Sequence, residues 1–221
     1  MMDRSKRWTR WVLLLGLSML TGCSTKPVYD EGPILELYPS RFEDGLYVHA
    51  FFQFSSPQST GWKSFLDQDP RRITLQKNYA RISVESWITK PPKTQDTTEI
   101  LAFIAGQRQA YWNRLKGYIL EEFRAYPDST CPTTPCYRYD WLARHEKTHR
   151  SSAFILDGHG YLFAHPEMVD LRKKDPTFPL FRVVGVTYDL VYPPSSKEHL
   201  EGDDFTHVLN SLRFRNGKQT Y

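Results

Sequence analysis

The chain has 221 residues with 13 Phe, 13 Tyr and 6 Trp, enough length and bulk for one domain with its own core, or for one domain on a tether. Its formal charge is +4, yet four of the 29 basic residues (Arg4, Lys6, Arg7, Arg10) and one of the 25 acidic ones (Asp3) stand in the first 22 positions, leaving 25 against 24 elsewhere. A body so nearly balanced offers no electrostatic footprint for nucleic acid, and that partner class is set aside.

The basic opening runs into Trp11 to Leu20, a charge-free and mostly apolar segment of the length of a secretory core region and too short to span a bilayer. Leu20-Thr21-Gly22-Cys23 follows at once and resembles the lipobox of bacterial lipoproteins, where the Cys thiol carries diacylglycerol, the chain is cut just before it and the new amino group is acylated. The resemblance implies a signal peptide over 1–22, lipidation at Cys23 and membrane attachment through the lipid. In such lipoproteins an Asp after the Cys retains the protein at the inner membrane. Ser24 stands there in this chain and implies an outer-membrane lipoprotein, expected to face the periplasm.

If lipid consumes Cys23, the odd cysteine count becomes even and Cys131 and Cys136 remain as a pair across Pro132-Thr133-Thr134-Pro135. An oxidising compartment predicts a disulfide between them; a metal half-site or redox dithiol would have about two intervening residues and, for zinc, a second pair.

From Ser24 to about Glu36 the chain is polar, lacks a period and contains Pro27 and Pro33, so 23–37 reads as a tether and 38–221 as a single domain. Residues 45–54 and 81–88 alternate as strands, the first a central one, with an exposed loop over 55–70 in which Trp62 and Phe65 fold back as anchors. Asp96-Thr97-Thr98-Glu99 has the spacing of a capping box. Ile100, Ile104, Tyr111, Leu115, Tyr118 and Ile119 then keep one stripe, which predicts one long helix from Thr97 to about Ala125. Residues 137–145 alternate as a strand, and 152–156 with 160–164 read as a hairpin around Asp157-Gly158-His159-Gly160. Residues 181–192 form a further strand whose buried face is Val184, Val186, Tyr188, Leu190 and Tyr192. Asp203 or Asp204 caps a short last helix with Phe205, Val208, Leu209 and Leu212 on one face, and Phe214 follows it into the core. The fold class is α+β: a mainly antiparallel sheet covered by one long helix and a short C-terminal helix.

That order, with Val186-Thr187-Tyr188-Asp189-Leu190-Val191-Tyr192 and the closing phrase Asn210-Ser211-Leu212-Arg213-Phe214, resembles the PsbP-like and DcrB-like α/β/α sandwich proteins over most of residues 80–215. The resemblance implies an accessory or assembly protein without catalytic activity, and no functional residues are carried over from it.

One motif argues for chemistry. His145-Glu146-Lys147-Thr148-His149 matches H-E-x-x-H, in which two His one helical turn apart bind zinc and Glu polarises the attacking water. The motif needs a helix, whereas the residues before it alternate as a strand, and Arg144, Lys147 and Arg150 crowd it with positive charge. A third ligand would have to be His159, His165 or Glu167. The zinc hydrolase, with His145 and His149 as ligands and Glu146 as base, therefore stands as the alternative, and a turn between strands is preferred. Ser151 and Ser152 beside His149, with Asp157, lack a nucleophile elbow and are not taken as a triad. Asp170 to Asp175 carries cations where calcium ligands would stand and reads as a solvated charged loop, His165-Pro166-Glu167 as a strand end, and Phe51, Phe52 and Phe54 as core. The expected function is that of a lipid-anchored, non-catalytic envelope module that docks to another protein or holds a small ligand in a groove, without a cofactor.

Overall fold

The computed structural model describes residues 32–66, 69–131, 135–146, 152–194 and 203–216. The expected signal peptide over 1–22, Cys23, most of the expected tether and His149 lie outside them. The described residues from 33 onward form one compact unit. Its elements are α1 (Gly32–Leu37), β1 (Arg41–Glu43), β2 (Leu46–Val48), β3 (Phe52–Ser55), β4 (Lys63–Phe65), β5 (Arg72–Lys77) and β6 (Ala80–Thr89). Then come α2 (Thr97–Trp112), β7 (Tyr118–Pro127), β8 (Cys136–His145), β9 (Phe154–Ala164), α3 (Pro166–Lys174), β10 (Phe181–Tyr192), α4 (Asp203–Ser211) and β11 (Arg213–Phe214).

The fold is α+β and its sheets are antiparallel. A seven-stranded sheet has the order β4-β5-β6-β10-β9-β8-β7, and a four-stranded one the order β1-β2-β3-β11. Central β10 is buried on both faces for most of its length, because the large sheet is covered on both sides. On one face Val184, Val186, Tyr188 and Leu190 pack with Phe52 and Phe54 of the small sheet and with Phe205, Val208 and Leu209 of α4. On the other, Val183, Leu162, Tyr139 and Trp141 pack under Ile100, Leu101, Ile104 and Ala105 of α2. The expected buried face of β10 is correct, and the opposite face is a second core.

The long helix is shorter than its stripe predicts. Asp96 caps it as expected, its carboxylate accepting from Thr98 N at 2.7 Å, while Glu99 accepts from the Thr94 hydroxyl at 2.7 Å. The helix stops at Trp112, and Gly117 turns the chain at φ +85° into β7. Beyond Gly117 the period is two: Tyr118, Leu120, Phe123 and Ala125 point inward, and a bulge between Leu120 and Glu122 shifts the alternation by one residue.

Three more expectations are corrected. The strand over 45–54 is a hairpin of β2 and β3 in the small sheet, not a central strand. Residues 166–174, read as strand end and charged loop, form α3, with Arg172 buried and donating to Phe178 O at 2.8 Å and Thr94 O at 2.6 Å. Leu35 of α1 packs buried against Ala50 and Phe51, so the packed chain begins before Tyr38.

The fifth correction shapes the site. Asp157-Gly158-His159-Gly160 is not a turn; it lies inside the unbroken strand β9. A Cβ on Gly160 would stand 2.6 Å from Cζ of Tyr139, one on Gly158 2.7 Å from Cε2 of Trp141, and one on Gly185 of β10 2.9 Å from Cζ3 of Trp87. Each glycine leaves the space that an aromatic ring of the neighbouring strand fills.

Candidate functional site

Helix α2 covers the β7-β8-β9 side of its sheet face and leaves β5, β6 and the later part of β10, from Thr187 to Val191, lining an opening. The result is a groove of about 720 Å³ between helix and sheet, a size that takes a drug-sized molecule. Its floor is set by register. Thr187 lies opposite Gly160 and Ser83, and Asp189 opposite Gly158 and Arg81, so side chains of β10 rise where their β9 neighbours have none.

The floor is polar and mostly paired within itself, although Nε of Arg72 and Nε1 of Trp141 are buried without a hydrogen-bond partner among the described residues. Arg81 Nε donates to Asp189 Oδ2 at 2.8 Å, and Arg108 of α2 binds Glu85 while its guanidinium carbon lies 4.4 Å from the Trp87 ring centroid. Ser83 and Thr74 share a hydroxyl contact at 3.4 Å, and Thr187 Oγ1 reaches Ser83 O at 3.5 Å. Burial pushes the Asp189 carboxyl above its ordinary range, with the Arg81 guanidinium opposing. Burial also pushes the Tyr139 phenol up, against the pull of Arg108.

One end of the groove is apolar, closed by Trp112, Leu115, Tyr118, Phe154 and Val191. Trp112 stacks toward Trp141 at 6.2 Å between centroids, and Tyr118 meets Phe154 edge-on at 6.0 Å. His145 belongs to this end. As the last residue of β8 it stacks on Phe154 at 4.5 Å and meets Tyr118 edge-on at 5.0 Å.

The H-E-x-x-H residues are therefore placed only in part. His145 closes a strand, so the helical (i, i+4) relation does not start there, and Glu146 is exposed; His149 lies outside the described residues. The candidate third ligands are apart from His145. His159 lies opposite Asp140, on the other sheet face, and packs 4.7 Å from Phe205. His165 is buried, with Nε2 3.0 Å from Arg215 O. Among the described residues no three metal-ligating side chains converge. Cys131 and Cys136 are joined in a disulfide at the β7–β8 connection, Cα to Cα 6.4 Å, away from the groove.

Sequence reasoning missed Arg72, Arg81, Glu85, Arg108 and Asp189. Arg81, Ser83 and Glu85 do alternate within a strand otherwise carrying Ile82 and Val84, and an alternating polar face on a central strand is the signal that could have found them.

No protein-family model matches the chain, and no curated protein matches it. Among the described residues no helix is long and apolar enough to cross a membrane.

Proposed function

We propose that this chain is a lipid-anchored envelope protein, tethered through Cys23 and held at the outer membrane facing the periplasm, whose domain is a non-catalytic accessory module that holds a small ligand in the groove beside α2. The observation that carries the reading is the groove itself: its shape comes from three glycine and aromatic pairs, and its two acidic groups, Glu85 and Asp189, are both bound by guanidinium groups. A carboxylate held by an arginine is a recognition element with its geometry preset. The anchor is supported by the Leu20-Thr21-Gly22-Cys23 sequence and the residue after it, and a sealed disulfide accords with an oxidising compartment.

Native mass spectrometry of the chain purified from its own membranes, beside Thr187→Trp, tests the reading. Thr187 is half-buried on the floor, and an indole there fills the groove. A small-molecule mass is expected on the unaltered chain and not on the variant, with thermal melts confirming that both are folded. The absence of any such mass, or the same mass on both proteins, contradicts it.

A further inference from the structure

The groove is lined by three arginines against two carboxylates: Arg72, Arg81 and Arg108 against Glu85 and Asp189. Arg81 is bound to Asp189 and Arg108 to Glu85. Arg72 has neither carboxylate to itself: it stands 3.6 Å from Glu85 and 3.8 Å from Asp69, ion-pair distances beyond a hydrogen bond. Its Nε is shut off from solvent without a hydrogen-bond partner among the described residues, while the side chain as a whole is 42% exposed. The sealed Nε faces Glu85, but the exposed part of the side chain leaves the guanidinium charge open to an arriving oxyanion.

The apolar end is distant from that donor. Arg72 lies opposite Glu85, and Glu85 opposite Gly185; Val191, at the apolar end, is six residues further along β10. At strand rise this is about 20 Å. Between the two ends Arg81 and Asp189 bind each other and the Ser83 hydroxyl meets Thr74, so these groups are already partnered within the floor.

Resting on the groove reading above, we infer that the ligand is a long-chain anionic amphiphile, its carboxylate or phosphate met by Arg72 and its apolar chain running along α2 to Leu115, Phe154 and Val191. A small anion would leave the apolar end empty, and a neutral or cationic chain would leave Arg72 unmet.

The test uses the full lipidated chain in maltoside detergent and native mass spectrometry with hexadecanoate, 1-palmitoyl lysophosphatidate, hexadecanol, hexadecyltrimethylammonium and octanoate. One equivalent of hexadecanoate or of lysophosphatidate is expected to bind, and which of the two binds tighter separates a free fatty acid from a phosphate-headed lipid. Arg72→Gln should weaken that binding about tenfold, and Arg72→Lys should restore part of it. Glu85 keeps Arg108 in both variants, and a thermal melt checks that each is folded. If hexadecanol, the ammonium or octanoate binds as well as the long-chain anions, or if Arg72→Gln has no effect, the inference falls while the groove reading stands. If no probe binds, the inference also falls, and the groove reading is then judged by the co-purified mass and Thr187→Trp alone.

Discussion

The phenol ring of Tyr139 on β8 fills the space that a side chain at Gly160 on β9 would need; the two residues are register partners, and a Cβ at Gly160 would meet the ring at 2.6 Å. This reverses the usual effect of glycine in a strand, where alanine is the better residue. Gly160→Ala should destabilise the protein by about 1–3 kcal/mol through overpacking. Gly106→Ala is the control: within α2 a Cβ at Gly106 meets nothing within 4 Å, so alanine there should stabilise by about 0.5–1 kcal/mol. Urea denaturation of both variants measures the opposite signs.

His49 couples the fold to pH. It is buried, Nδ1 accepts from Phe51 N at 3.1 Å, and Nε2 faces Pro70 O at 2.9 Å, so the neutral tautomer with its proton on Nε2 satisfies both. Burial, aided by nearby Arg182, lowers its pKa from 6.5 to about 4. The unfolded chain therefore binds the proton more readily. The stabilisation is complete above pH 6.5 and is lost as pH falls toward 4, and burial lowers the His165 pKa in the same sense. Between pH 7.5 and 4.5, His49 alone should cost about 2–3 kcal/mol of unfolding free energy. Denaturation curves at the two pH values should differ less for His49→Gln.

Asp189 needs Arg81. The carboxylate is 5% exposed and the guanidinium is its ion-pair partner. Arg81→Met should destabilise by about 2 kcal/mol, less than a fully buried pair would, because the Arg81 side chain is 44% exposed. Adding Asp189→Leu to Arg81→Met should recover most of that loss, since no unpaired charge then remains buried. A double-mutant cycle in urea reads the coupling.

Much of the fold was legible because most of its strands have one clear period. Residues 81–88 and 181–192 alternate over long apolar runs, and the helix at 203–211 places Phe205, Val208 and Leu209 on one face. The failures have physical causes. Tyr118 and Ile119 continued a helical stripe by chance, and the bulge at Leu120/Glu122 hid the two-residue period of β7. Gly158 and Gly160 looked like a turn because a glycine that makes room for an aromatic ring and a glycine that turns the chain are the same letter. The groove was illegible for a related reason: Arg72 and Arg108 are far apart in sequence and both come to Glu85 only after β5, β6 and α2 have assembled.

The proposed lipid anchor makes a separate prediction. Cys23→Ala should leave the chain unacylated and its signal segment uncut, readable as the mass of the amino-terminal peptide from membrane-purified protein. A variant that still partitions to the membrane with the mature mass contradicts the lipoprotein reading.

The most direct test of the groove as the working site is photo-crosslinking in the native cell. Tyr111, 57% exposed at the lip of the groove, is replaced by p-benzoylphenylalanine, with Phe42, 52% exposed on the small sheet, as control. A discrete small-molecule adduct is expected at position 111 and none at 42. No adduct at either position, or the same adducts at both, would contradict it.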